Sequence, residues 1–133
     1  MRQVRLTPQA LKDLELEMAR ERVRAAPHLD SGRRVLERIR VALRDPEFRS
    51  TELRTLANQA CEAFHLALGE CENLPEAFLG MARARAFTDD PRGAEEILNR
   101  TIERWPTFST AYFERARLRI HHYEDLCHRA GSA

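Results

Sequence analysis

The stretch His121-His122-Tyr123-Glu124-Asp125-Leu126-Cys127-His128 is the most chemically suggestive part of the chain. On a helix, residues three and four apart are neighbours, so His121, Glu124, Asp125 and His128 share a face. Zinc accepts imidazole and carboxylate ligands of this kind. The simpler reading is a solvated helix face carrying ordinary side-chain pairs, and no metal or other cofactor is expected. Cys61, Cys71 and Cys127 have spacings that fit no zinc or redox pattern. Cys61 and Cys71 read as small buried hydrophobes on or beside a helix. Nothing matches a nucleophile elbow, a P-loop, a dinucleotide fingerprint or a metalloprotease helix. Five glycines occur, none in a phosphate-cradling cluster. No catalytic residue is expected, and the chain reads as a non-enzyme.

The arginines are the next candidates. Lys12 is the single lysine, and the other 21 basic residues are arginines. Residues 20–54 hold ten arginines against six acids, a net +4, whereas residues 55–82 hold four glutamates and no base, a net −4. Arg33, Arg40 and Arg44 line the polar side of one segment with Glu37 among them. Such a ridge could follow phosphates, but the glutamate and the absence of aromatics make nucleic-acid binding the most distant alternative. A solvent face, or a contact with the acidic segment, fits better. The net charge of +1 supplies no global field for nucleic acid or membrane.

These residues must be held by helices. The composition, 43% hydrophobic and 32% charged, is that of a soluble protein with room for one core. No apolar run approaches the roughly 18 residues that cross a bilayer, and Met1–Leu6 do not begin a secretory leader. A cytoplasmic location is expected. Proline and glycine fall between apolar-periodic segments, and nothing alternates with period two, so an all-α fold is predicted. Thr7-Pro8 opens a first helix that Pro27 ends. Asp30 or Ser31 caps a second, running to about Arg44, and Asp45-Pro46 breaks it. A third passes through Leu53, Leu56, Ala60, Phe64 and Ala67 to Gly69. Pro75 opens a fourth ending near Phe87, Asp90-Pro91 a fifth ending near Trp105, and Ser109 a sixth reaching about Arg129.

Displacing the sequence by 34 residues aligns Ala60 with Ala94, Glu62 with Glu96, Ala77 with Ala111, Ala82 with Ala116, Arg83 with Arg117 and Arg85 with Arg119. Phe64 and Leu98, Leu74 and Phe108, Phe78 and Tyr112 are apolar matches. Over about residues 55–120 the chain resembles the tetratricopeptide-repeat (TPR) family. Phe78 stands for that family's tryptophan, Met81 for its leucine and Ala82 for its glycine. Ala94 and Leu98 match its small-then-large pair, and Pro106 its closing proline. Arg85 and Arg119 replace an aromatic, and Arg115 a leucine. Upstream of residue 55 the register is lost.

The resemblance implies stacked antiparallel helix hairpins in a right-handed superhelical solenoid, here of about six helices. The organisation expected is a single helical-repeat domain over 1–133. Residues 1–54 form atypical N-terminal helices, 55–108 the repeat units and 109–133 a C-terminal capping helix. Small residues at Ala82, Ala94 and Ala116 would let helices approach closely. The last helix is expected as a solvating cap, with Arg115 and Arg119 at least partly exposed.

First helices line the concave face in this family, which implies a groove formed by Leu79, Arg83, Phe87, Phe113, Arg117, Ile120 and His121. Arg83 and Arg117 would lie about one helix spacing, ~10 Å, apart. The function expected is a protein-interaction adaptor, scaffold or chaperone-like module that takes an acidic and apolar peptide or protein there. Arg33 and Arg40, on the other ridge, are expected to contribute little. The alternative is a self-associating structural module that uses the N-terminal helix and the charge-segregated surfaces, the +4 segment of one copy meeting the −4 segment of another. Leu11, Leu14, Met18 and Ala25 form one stripe of the first helix, and Leu16, Ala19 and Val23 another. Two stripes call for two neighbours: the repeat stack for the first stripe, a second copy in a homodimer for the second.

Overall fold

Thr7 begins the first helix as the sequence requires. Its hydroxyl accepts the Ala10 N–H at 3.1 Å, and Pro8 follows in the first turn, where no N–H is needed. The computed structural model describes residues 5–131, so residues 1–4 and 132–133 lie outside it. Five α-helices and no strand are present among the described residues: α1 Pro8–Ala42, α2 Ser50–Glu70, α3 Pro75–Phe87, α4 Pro91–Arg104 and α5 Ser109–Gly131.

One long helix replaces the first two expected from the sequence, because Pro27 lies inside α1. Proline removes a backbone hydrogen bond and costs a helix interior roughly 3 kcal/mol. The helix persists because its buried residues, Ala25, Gly32, Leu36 and Ile39, lie on both sides of Pro27 within one seam. That seam packs on α2. Tertiary burial overrides the local breaker. The turn after α1 is set by Asp45, whose carboxylate accepts the Glu47 N–H at 3.0 Å.

α2 folds back along α1 and presents a strip of small residues, Ala57, Ala60, Ala63 and Ala67. Phe64 rises from this strip between Gly32 of α1 and Gly80 of α3. A Cβ placed at either glycine would fall inside the ring's van der Waals envelope. Of the small residues expected to let helices approach, Ala82 and Ala94 are buried together in one cluster and Ala116 is exposed. α3 is buried on both sides. Ala77, Met81 and Ala84 join the α1–α2 core, whereas Leu79 and Ala82 join a second cluster with Ala94 and Leu98 of α4 and Ala111 of α5. Asp89 links α3 to α4 at φ 58, a left-handed conformation that aspartate tolerates better than most residues. Asp90 then caps α4 by accepting the Gly93 N–H at 3.0 Å.

α3 and α5 begin 34 residues apart, at Pro75 and Ser109. Ala60 and Ala94, Phe64 and Leu98, and Ala77 and Ala111 are all buried. The correspondence stops at Ala82, which is buried, and Ala116, which is exposed because no described helix covers that side of α5. Arg115 is half-buried and donates to Asn99 at 3.0 Å, while Arg119, still exposed, pairs with Glu95 of α4 at 2.6 Å.

α2 ends where Glu70 meets Arg24 at 3.3 Å. The part of α1 that precedes this contact, residues 8–23, extends beyond the hairpin by about 24 Å at 1.5 Å per residue. Leu11, Leu14 and Met18 are all exposed there. Of the stripe expected to cap the stack, Ala25 alone is buried against it, since α2 is too short to cover the rest of the arm.

Candidate functional site

The elements enclose a groove of about 650 Å³. α1 contributes Arg33, Leu36, Glu37 and Arg40 to it, and α3 contributes Ala82, Arg83, Ala86 and Phe87. Pro91, Ala94 and Leu98 of α4 extend the floor, and Glu114, Arg117, Leu118 and His121 of α5 complete the far side. Leu36, Ala82, Ala94 and Leu98 are buried and Phe87 and Leu118 half-buried, so the floor is apolar and the rim charged.

Glu114 organises the rim. Its side chain is only 13% exposed, and its Oε1 accepts from Arg83 Nη2 at 2.7 Å and Nε at 3.1 Å. Arg117 Nη1 lies 3.8 Å from the same oxygen. Three residues separate Glu114 from Arg117, so α5 presents both to α3 on one face. The Arg83 and Arg117 side chains thus converge on one carboxylate oxygen. Each retains unused N–H donors, and their side chains are 44% and 60% exposed.

Of the residues named from the sequence, Arg83, Phe87, Arg117 and His121 line the groove together. Leu79 does not, because α4 and α5 bury it in the second core cluster. Phe113 and Ile120 do not either. They are 62% and 59% exposed on a side of α5 that no described helix covers, and the Arg117 guanidinium lies 6.0 Å from the Phe113 ring centre. Arg33 and Arg40, set apart from the groove in the sequence, form its α1 wall. Glu37 pairs with Arg40 at 3.6 Å. Four arginines and four acids (Glu37, Asp89, Glu114 and Asp125) line the groove, which makes it charge-balanced rather than basic. Leu36 and Leu118 of the floor were missed, and so was Glu114. Its three-residue spacing from Arg117 was the available signal.

The C-terminal face does not assemble a ligand set. His121 Nδ1 is 4.0 Å from Glu124 Oε2, and no three His, Cys, Asp or Glu side chains among the described residues are placed to hold a metal ion. Cys61 is half-buried, and burial raises its thiol pKa, partly opposed by Arg85; a thiol so placed is a poor nucleophile. Cys71 is buried and Cys127 exposed. Leu16, Ala19 and Val23 lie exposed on the α1 arm.

No described helix is long and apolar enough to cross a membrane. Comparison with protein-family models, with curated proteins and with solved structures finds no match.

Proposed function

We propose that the chain is a tetratricopeptide-type helical-repeat module that binds a peptide segment of a partner protein in the groove between α1, α3 and α5. The 34-residue offset between α3 and α5 and the paired burial of Ala60 with Ala94 and Ala77 with Ala111 support the repeat reading. The binding reading rests on one observation. Glu114 holds Arg83 at the rim of an apolar floor, so a guanidinium is positioned before any partner arrives. Pre-organisation of this kind lowers the ordering cost of binding.

A fitting peptide carries one or two large apolar side chains for the floor at Leu36, Phe87 and Leu118, and a carboxylate for the open edges of Arg83 and Arg117. Net charge does not select it, because the groove is balanced. Contacts to half-exposed arginines contribute about 0–1 kcal/mol each, against about 1.5–3 kcal/mol for shielded ones. The apolar floor therefore supplies most of the affinity, and salt weakens binding only modestly.

Selection of displayed random peptides on the folded chain tests this. Enriched peptides should combine an acid with bulky apolar residues and bind Arg117→Ala about fivefold more weakly. Arg40→Ala should also weaken binding, since Arg40 lines the same groove. Unchanged affinity for a folded Arg83→Ala/Arg117→Ala double variant would overturn the reading.

A further inference from the structure

The α1 arm carries an apolar stripe that nothing in the described chain covers: Leu16, 51% exposed, Ala19, and Val23, 73% exposed. At about 100° per residue, this stripe lies on the side of α1 opposite the one that packs on α2. Its flanks are patterned. Asp13 and Arg20 follow one another along one flank, and Glu15 and Arg22 along the other, with the acid first each time. Glu15, Arg20 and Arg22 enter no ion pair among the described residues. Arg24, the next base, is held by Glu17 and Glu70 of its own chain.

We propose that this face binds a second copy of the chain, arm against arm and antiparallel, about a twofold axis passing between Glu17 and Met18. Reversing one arm sets its acids opposite the bases of the other. Asp13 then meets the second copy's Arg20, and Glu15 the second copy's Arg22, each contact occurring twice. Leu16 packs against the second copy's Ala19, and Val23 against the aliphatic stem of its Lys12. The opposite stripe, Leu11, Leu14 and Met18, continues the seam that α2 already fills. A parallel partner there would run into α2. An antiparallel partner clear of α2 would set Glu15 against Glu15 and Glu17 against Glu17. Charge pattern and space both favour the Leu16 face. The dimer leaves the groove open and does not depend on what the groove binds.

Sedimentation of the 133-residue chain over about 5–500 µM, a range that brackets the weak association expected of so small an apolar stripe, tests the proposal. A reversible monomer–dimer equilibrium is expected. Leu16→Glu should abolish it and Leu14→Glu should leave it intact; both positions are exposed, so folding survives. Glu15→Arg replaces two attractive contacts by repulsive ones and should weaken the dimer about tenfold. Adding Arg22→Glu to it exchanges the charges and should restore association. In a parallel pair the arginine introduced by Glu15→Arg would face Arg20, and the double variant would stay weak. A monomer throughout the range, a Leu14→Glu variant as damaged as Leu16→Glu, or failure of the double variant to recover would each overturn the proposal.

Discussion

The ring of Phe64 occupies the volume that a side chain at Gly80 would need, and it does the same to Gly32 on its other side. Three helices are joined by that one ring. Glycine inside a helix usually costs about 0.5–1 kcal/mol relative to alanine, yet Gly32 and Gly80 are placed where alanine does not fit.

Gly80→Ala and Gly32→Ala should therefore destabilise the fold, by about 1–3 kcal/mol from overpacking, despite the better helix propensity. Gly69 is the control. No atom lies within 4 Å of a Cβ there, so Gly69→Ala should stabilise by up to about 1 kcal/mol. Chemical denaturation of the three variants reads the sign directly. A stabilised Gly80→Ala would mean that Phe64 yields easily.

Pro27 is exposed and inside α1. Pro27→Ala restores a helix hydrogen bond and should raise stability by up to about 3 kcal/mol. Thermal melting followed by circular dichroism checks this. A lowered melting temperature would mean that the helix bends at Pro27 in a way the packing on α2 requires.

Arg83 and Glu114 should show measurable coupling in a double-mutant cycle for stability, about 0.5–1.5 kcal/mol, because Glu114 is largely enclosed although Arg83 is not. Arg83→Ala leaves that carboxylate with only the longer Arg117 contact, so it should cost more than Glu114→Ala. Additive single effects would contradict a pre-set rim.

The three cysteines should separate by reactivity. Cys127 is exposed and should be alkylated first, Cys61 more slowly, and Cys71 only on unfolding. Because burial raises the Cys61 pKa, the folded chain keeps that proton after the unfolded chain has lost it, near pH 8.5 for an ordinary thiol. Stability should fall as pH rises through this range and be unaffected below it. Cys61→Ala should flatten that slope, as urea titrations at neutral and alkaline pH would reveal.

Helix starts were legible where a cap or proline acts locally, as at Thr7-Pro8, Pro75 and Asp90-Pro91. Pro27 misled because its effect was decided by burial on α2, a separate helix that the local sequence does not announce. The groove was legible at Arg83, Phe87, Arg117 and His121, which repeat spacing brings to one side. Leu79 was lost to the core, and Phe113 and Ile120 to the uncovered side of α5. Periodicity tells which residues share a face but not which faces find a neighbour. Arg33 and Arg40 entered the groove for the same reason, since continuous α1 carries them to α3.

α3 supplies side chains to both apolar clusters, Ala77, Met81 and Ala84 to one and Leu79 and Ala82 to the other. Neither cluster can dissolve without stripping one side of this thirteen-residue helix. The two halves of the bundle should therefore open together, with the amides of α3 among the last to exchange with deuterium. The α1 arm and the far end of α5 should exchange early and independently, so the ends of the molecule can move while its middle holds the groove in shape.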